Sequence, residues 1–253
     1  MRILCTNDDG INAPGLRSLE RIARALSDDV WIIAPETDQS GVSHSLSLND
    51  PLRLREVGDR HYAVKGTPTD CVIMAVRHVM RDAPPDLILS GVNRGQNVAD
   101  DVSYSGTIAA AIEGTMLGFP SIALSQAYGA GGRSGIKWQC AEEHGPAMVR
   151  KTIEVGIPRG ILVNVNFPDC EPGEVAGTAV VNQGRRDQEF LRLEERQDGR
   201  GNPYFWIAFA RGPINPGHGT DLWAIQNRRI SVTPLRLDMT DEPTLTHYVQ
   251  AFA

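Results

Sequence analysis

No Cys-x-x-Cys pair, no long apolar run and no block of basic residues occurs in this 253-residue sequence. The four cysteines, Cys5, Cys71, Cys140 and Cys170, lie far apart, which excludes a zinc ribbon and a small disulfide framework and predicts reduced thiols. Apolar stretches of only a few residues are too short to cross a bilayer as a helix, so no membrane partner is expected. A net charge of −6 without a Lys/Arg cluster argues against binding a nucleic-acid polymer, where many phosphates must be neutralised. The opening Met1–Asp9 has no leader-like apolar core and carries two carboxylates, so a cytoplasmic location is expected. Also missing are the Gly-x-x-x-x-Gly-Lys-Ser/Thr of a P-loop and the Gly-x-Gly-x-x-Gly of a dinucleotide fold. Internal repeats are absent as well.

What is present is an ordinary globular composition, 41% hydrophobic and 22% charged, in a chain long enough to bury a large core. Short apolar runs alternate with helical periodicity, the pattern of parallel strands joined by crossover helices. Strands are predicted over 2–6, 30–34, 61–65, 87–92, 121–125 and 160–166, and helices over 16–26, 69–80, 108–117 and 141–155. Beyond about Pro168 the character changes. Pro172-Gly173, Asn202-Pro203 and Gly212-Pro213 punctuate segments such as 204–210 and 230–235, which read as antiparallel strands. The expected division is a core over 1–168 and an extension over 169–253 with a hairpin arm and a terminal helix. The aromatic run Tyr204-Phe205-Trp206 suits either an arm packed on another subunit or a core strand. Ala127–Lys137, with its four glycines, reads as a flexible loop.

Candidate chemistry gathers where strands end. Asn7-Asp8-Asp9-Gly10 follows the first strand, at the carboxyl edge where open parallel sheets bind ligands. Adjacent carboxylates repel, and a cation would hold them together; an Asx-turn with Gly10 at positive φ accounts for the same residues. Ser40–Ser45 forms a hydroxyl-rich loop after the second strand, and His44 within it is a candidate proton donor or an incidental loop residue. Gly66-Thr67-Pro68-Thr69-Asp70 opens a helix, with Thr67 as its cap. Ser105-Gly106-Thr107 opens another, and the unpaired amides there form either an anion site or a plain cap. Four segments, Asn7–Gly10, Ser40–Ser45, Gly66–Asp70 and Asn93–Thr107, follow strands and should converge on one edge of the sheet.

These motifs, taken in order, resemble the survival protein E (SurE) family of 5′-nucleotidases. The carriers are Met1-Arg2-Ile3-Leu4, Asn7-Asp8-Asp9-Gly10, Ala13-Pro14-Gly15, Ser40-Gly41, Gly66-Thr67-Pro68-Thr69-Asp70, Ser90-Gly91-Val92-Asn93, Tyr104-Ser105-Gly106-Thr107, Asn164-Val165-Asn166-Phe167-Pro168 and Gly219-Thr220-Asp221. The resemblance implies an α/β fold: a Rossmann-like, mostly parallel sheet with flanking helices and a C-terminal β-rich oligomerisation arm. It implies assembly as a homodimer or homotetramer through that arm. It also implies that Asp8, Asp9, Ser40 and Asn93 hold one divalent cation per subunit. Oxygen donors of this kind favour Mg²⁺ or Mn²⁺ over zinc. Asn7, Asn97, Ser105, Gly106 and Thr107 are the residues expected around the phosphate of a nucleoside monophosphate. Asp8 and Asp9 are the catalytic candidates, either supporting attack by water or attacking phosphorus directly. The family often has Asp-Arg-x-Arg-Ser in the loop, whereas here it reads Glu36-Thr37-Asp38-Gln39-Ser40, leaving Arg94 to supply charge.

Overall fold

The computed structural model describes residues 1–129, 131–186, 191–209 and 216–253. Gly212-Pro213, Ala210 of the aromatic segment and Ala130 of the glycine-rich loop lie outside the described residues. Chain order is β1 (Ile3–Thr6), α1 (Pro14–Arg24), β2 (Val30–Pro35), β3 (Arg53–Gly58), β4 (His61–Lys65), α2 (Pro68–Met74), β5 (Leu87–Arg94) and α3 (Gly106–Met116). It continues with β6 (Ser121–Gln126), α4 (Trp138–Val155), β7 (Ile161–Phe167), β8 (Thr178–Val180), β9 (Leu191–Gln197), β10 (Pro203–Phe209), α5 (Asp221–Gln226), β11 (Ile230–Arg236) and α6 (Glu242–Ala251).

Nine strands form one sheet in the order β3-β4-β2-β1-β5-β6-β7-β11-β8. From β4 through β7 the pairings are parallel, and β3 and β11 join antiparallel to β4 and β7. This is the expected Rossmann-like α/β arrangement. Strands β8 and β11, drawn from beyond Pro168, complete one side of it. Hairpin β9–β10 forms a separate two-stranded sheet, as an arm would.

Alternation along the strands builds a layer on each face. Ile3, Cys5, Leu89 and Phe167 pack beneath α1 and α4 with Leu19, Ile22 and Val149. Leu4, Ile33, Val64 and Ile88 face α2 and α3 with Val72, Val76 and Ala110. Each fully buried aliphatic side chain contributes about 1.5–3 kcal/mol. The four cysteines are buried and unbridged.

Pro14 starts α1, whose Leu16, Leu19, Ile22 and Ala23 are buried. In α2 the predicted single helix ends at Met74 and continues as one π-type segment over 75–79. Helix α3 is buried on most sides, and its small residues let it sit close on the sheet. At Gly114 a Cβ would lie 2.5 Å from Ser121 Oγ and 2.7 Å from Ile88 Cδ1. Among the described residues no helix is long and apolar enough to cross a membrane.

Candidate active site at the carboxyl edge of the sheet

The order β2-β1-β5 places the ends of three strands side by side, and the chain leaves each of them on the same edge. Three of the four predicted segments meet there. A cavity of about 260 Å³ is lined by Asp8, Asp9, Ser40, Asn93, Asn97 and Ser105, along with Arg94, Gln96, Asp101, Tyr104, Tyr128, Arg133 and Arg186.

Asp8 and Asp9 leave β1 on a turn in which Asn7 Nδ2 donates to Gly10 O at 3.0 Å and Gly10 takes φ +99°. The loop after β2 is tied to this turn, since Gln39 N–H donates to Asp8 O at 2.7 Å and Ile11 N–H to Pro35 O at 2.7 Å. In that loop Asp38 Oδ1 accepts from both Ser40 N–H (2.8 Å) and Ser40 Oγ (2.6 Å). On β5 the register slips between Ser90 and Asn93, an irregularity of the kind that re-aims side chains beside active sites. Asn93 Nδ2 donates to Gly95 O at 2.8 Å, so the carboxamide presents its oxygen as the remaining acceptor.

Both carboxylates are deeply placed. Asp8 is 4% exposed, and the Asp9 side chain is 5% exposed. Burial, and then the charge of Asp9, push the Asp8 carboxyl up to about 7, while the hydrogen bond from Thr107 opposes the shift. Asp9 is met by Arg94, whose main-chain N–H reaches Oδ2 at 3.1 Å and whose guanidinium lies 3.3 Å from Oδ1 and 3.5 Å from Asp38 Oδ2. Near them Asn7 Oδ1 and Gln96 Oε1 are buried with no protein donor. An unpartnered buried oxygen at Gln96 beside a buried carboxylate pair suits a hard cation. Among the described residues no group of three or more His, Cys, Asp or Glu side chains is placed to hold a metal, so a cation here would draw on the neutral oxygens of Ser40 and Asn93 as well.

Helix α3 starts directly behind Asp8. Ser105 Oγ caps it by accepting from Ile108 N–H at 3.1 Å. A Cβ at Gly106 would stand 2.8 Å from Asp8 Cβ and 3.1 Å from Pro68 Cγ, so only glycine lets the helix start approach the carboxylate this closely. Thr107, read from the sequence as a phosphate contact, is fully buried and donates its hydroxyl to Asp8 Oδ1, which fixes that carboxylate. Neither Thr107, Gly106 nor Asn7 lines the cavity, whereas Ser105 and Asn97 do.

The fourth segment stops short of the cavity. Thr67 and Asp70 form a capping box, Thr67 Oγ1 donates to Ser45 O at 2.8 Å and Ser47 N–H donates to Asp70 Oδ1 at 3.2 Å. It holds the hydroxyl-rich loop from below. His44 bonds Glu113 Oε2 at 3.0 Å and lines a neighbouring groove along α3.

Two cationic residues in the cavity were not identified from the sequence. Arg133, on the glycine-rich loop, is held above its ordinary pKa, foremost by a hydrogen bond with Tyr128 and further by Asp38 and Asp9. Arg186 is pinned by Asp101 through Nε at 2.9 Å, while its main-chain N–H donates to Asp100 Oδ2 at 2.6 Å. Both sit in stretches without periodicity, far along the chain from β1, so nothing local announces them.

Known proteins resemble this chain along nearly its whole length. The family model for survival protein SurE matches residues 3–190. The 5′-nucleotidase SurE of Methylobacterium radiotolerans is 71% identical over 253 residues, covering all of both chains. That of Rhodopseudomonas palustris is 65% identical, covering 96% of each. The crystal structure of the SurE protein from Aquifex aeolicus superposes with a TM-score of 0.86 at 37% identity, covering 99% of this chain and 100% of that one.

Proposed function

This chain belongs to the survival protein SurE family, and on that premise we propose that it is a divalent-metal-dependent phosphomonoesterase converting nucleoside 5′-monophosphates to nucleoside and phosphate. The observation that carries the reading is the burial of two adjacent carboxylates at the head of a cavity whose other wall is a helix start. Asp8, Asp9, Ser40 and Asn93 would hold the ion, and their oxygen chemistry fits Mg²⁺ or Mn²⁺. When bound, that ion supplies Lewis acidity toward a phosphoryl oxygen and makes an adjacent water more acidic.

The remaining work falls to the protein. Ser105, at the start of α3, and Asn97 line the cavity and suit the non-bridging oxygens of a phosphate. Arg94 and Arg133 offset the charge of the phosphate dianion. Thr107 holds Asp8 through its hydroxyl and Gly106 lets the helix start stand against the carboxylate, so the pair is organised before substrate arrives. Water then forms a bond to phosphorus as the bond to the ester oxygen breaks, and the proton that water gives up ends on the departing nucleoside 5′-oxygen.

A substrate panel tests this. With Mg²⁺ or Mn²⁺ the protein should release phosphate from AMP and GMP faster than from 3′-nucleotides or short polyphosphate, and EDTA should stop release. Nucleotide binding without release would instead mark a non-catalytic module, and equal rates on polyphosphate would sink the 5′-nucleotide assignment.

The C-terminal arm is read as the assembly surface. Leu193 on β9 is 70% exposed, Ile207 on β10 71% and Phe252 beyond α6 87%, apolar surface that a second copy would cover. Sedimentation equilibrium should give a dimer or tetramer; a monomer at micromolar concentration would refute that reading.

A further inference from the structure

Strand β7 has a costly sequence, Val163-Asn164-Val165-Asn166-Phe167. Val163, Val165 and Phe167 point into the layer beneath α1 and α4. The intervening positions face α3, where Leu162 packs on Ile108 and Ala123, yet two of them are asparagines with no solvent exposure. A buried carboxamide left unpaired costs about 1–3 kcal/mol, so two on one face of a strand must be matched by specific partners.

Both find them at one residue. Asn166 Oδ1 accepts the main-chain N–H of Asn97 at 2.7 Å, and the Asn97 carbonyl accepts from Asn164 Nδ2 at 2.8 Å and Asn166 Nδ2 at 3.1 Å. Asn166 Nδ2 also lies 3.2 Å from Asn164 Oδ1, which links the two side chains. Ser125, opposite Asn166 in the β6–β7 register, accepts from Asn97 Nδ2 at 2.9 Å. Asn97, which lines the cavity, is thus held by its amide, its carbonyl and its side-chain Nδ2.

Asn97 lies between β5 and the 3₁₀ segment over 99–104, in a stretch with no ladder of its own. Its position is therefore borrowed from a strand nearly seventy residues further on. An apolar pair at 164 and 166 would serve the sheet equally well but would leave this peptide without partners.

We infer that Asn164 and Asn166 are positioning residues for phosphate recognition, acting wholly through Asn97. The inference rests on the reading of the cavity as a phosphate site. Neither asparagine touches substrate; each fixes the backbone of the residue whose side chain does.

The test is a double-mutant cycle on the full-length protein with saturating Mg²⁺, reading KM and kcat for a 5′-nucleotide, the inhibition constant of inorganic phosphate, and Tm. Asn166→Ala should raise KM and the phosphate inhibition constant roughly tenfold, the scale on which a misplaced contact weakens binding, with a smaller change in kcat. Asn97→Ala should do the same, and the double variant should be no worse than Asn97→Ala alone. Multiplying effects would overturn the inference, because a merely structural role at β7 adds its cost whether or not Asn97 is present. Ser125→Ala removes a single acceptor and gives the same comparison should Asn166→Ala not fold. An Asn97→Ala protein that binds phosphate normally would remove Asn97 from the phosphate site and the inference with it. Multiplying effects with Asn97→Ala impaired would leave the phosphate site standing.

Discussion

Asp9→Asn should reduce phosphate release from AMP by about a thousandfold or more, equivalent to about 4 kcal/mol of lost transition-state stabilisation. The size follows from where the carboxylate sits. Its side chain is 5% exposed, so little water screens it, and whatever charge it presents to the cavity acts at close to full strength. The amide keeps the shape of the residue and can still accept from the Arg94 main chain, so the fold should survive. A loss of charge with the geometry preserved makes the result interpretable. Thermal melting with and without Mn²⁺ would provide the control: the parent should gain about 2.7 kcal/mol at a hundredfold excess over Kd, and the variant much less. Turnover within tenfold of the parent would remove Asp9 from the catalytic centre.

Asp8→Asn should cost as much activity yet make the metal-free protein more stable. Burial and Asp9 raise the Asp8 carboxyl from its ordinary value to about 7, so the folded protein holds this proton more tightly than the unfolded chain does. Ionising Asp8 therefore works against folding. The penalty is absent below pH 4, grows as pH rises to 7 and is complete above it. At about 1.4 kcal/mol per pKa unit it is at most a few kcal/mol, and each kcal/mol moves Tm by about 2–4 °C in a chain of this size. Without metal at pH 8, Asp8→Asn should melt several degrees above the parent, and the gap should close by pH 4. Adding Mg²⁺ should reverse the order. A metal-free variant melting well below the parent at pH 8 would contradict this account. A site that destabilises its own fold until loaded is what selection for catalysis leaves behind.

Strands β1, β2, β4, β5, β6 and β7 were legible because buried parallel strands appear as largely apolar runs, helices α1 and α4 because their buried faces recur at helical spacing, and α3 because its small residues suit a helix buried on most sides. Strand β3 was not, since Arg53-Leu54-Arg55-Glu56 lies on an exposed edge and buries almost nothing. Helix α5 is only six residues long, too short for a period, and its cap at Thr220 serves as local punctuation. The strand ends that converge followed from topology, which is why the segments carrying Asp8, Ser40, Asn93 and Ser105 could be predicted to meet. Which way each side chain turns could not be read in advance. Thr107 and His44 point to Asp8 and Glu113 because neighbours in three dimensions offer them better partners than the cavity does. The Asn164–Asn166 pattern was visible as two polar residues in an apolar strand, but its meaning depended on a loop that only the fold brings alongside.

The two close approaches of α3, at Gly106 and Gly114, are eight residues or about 12 Å apart. A helix braced at both ends behaves as a beam rather than a spring. The height of the helix start above Asp8 is set in part at the opposite end, where Gly114 rests on Ser121 and Ile88. The spacing between Asp8 and the helix start is therefore gauged at a buried contact remote from the cavity, and drift in that distant packing would reach Asp8 with none of the residues around the cavity altered.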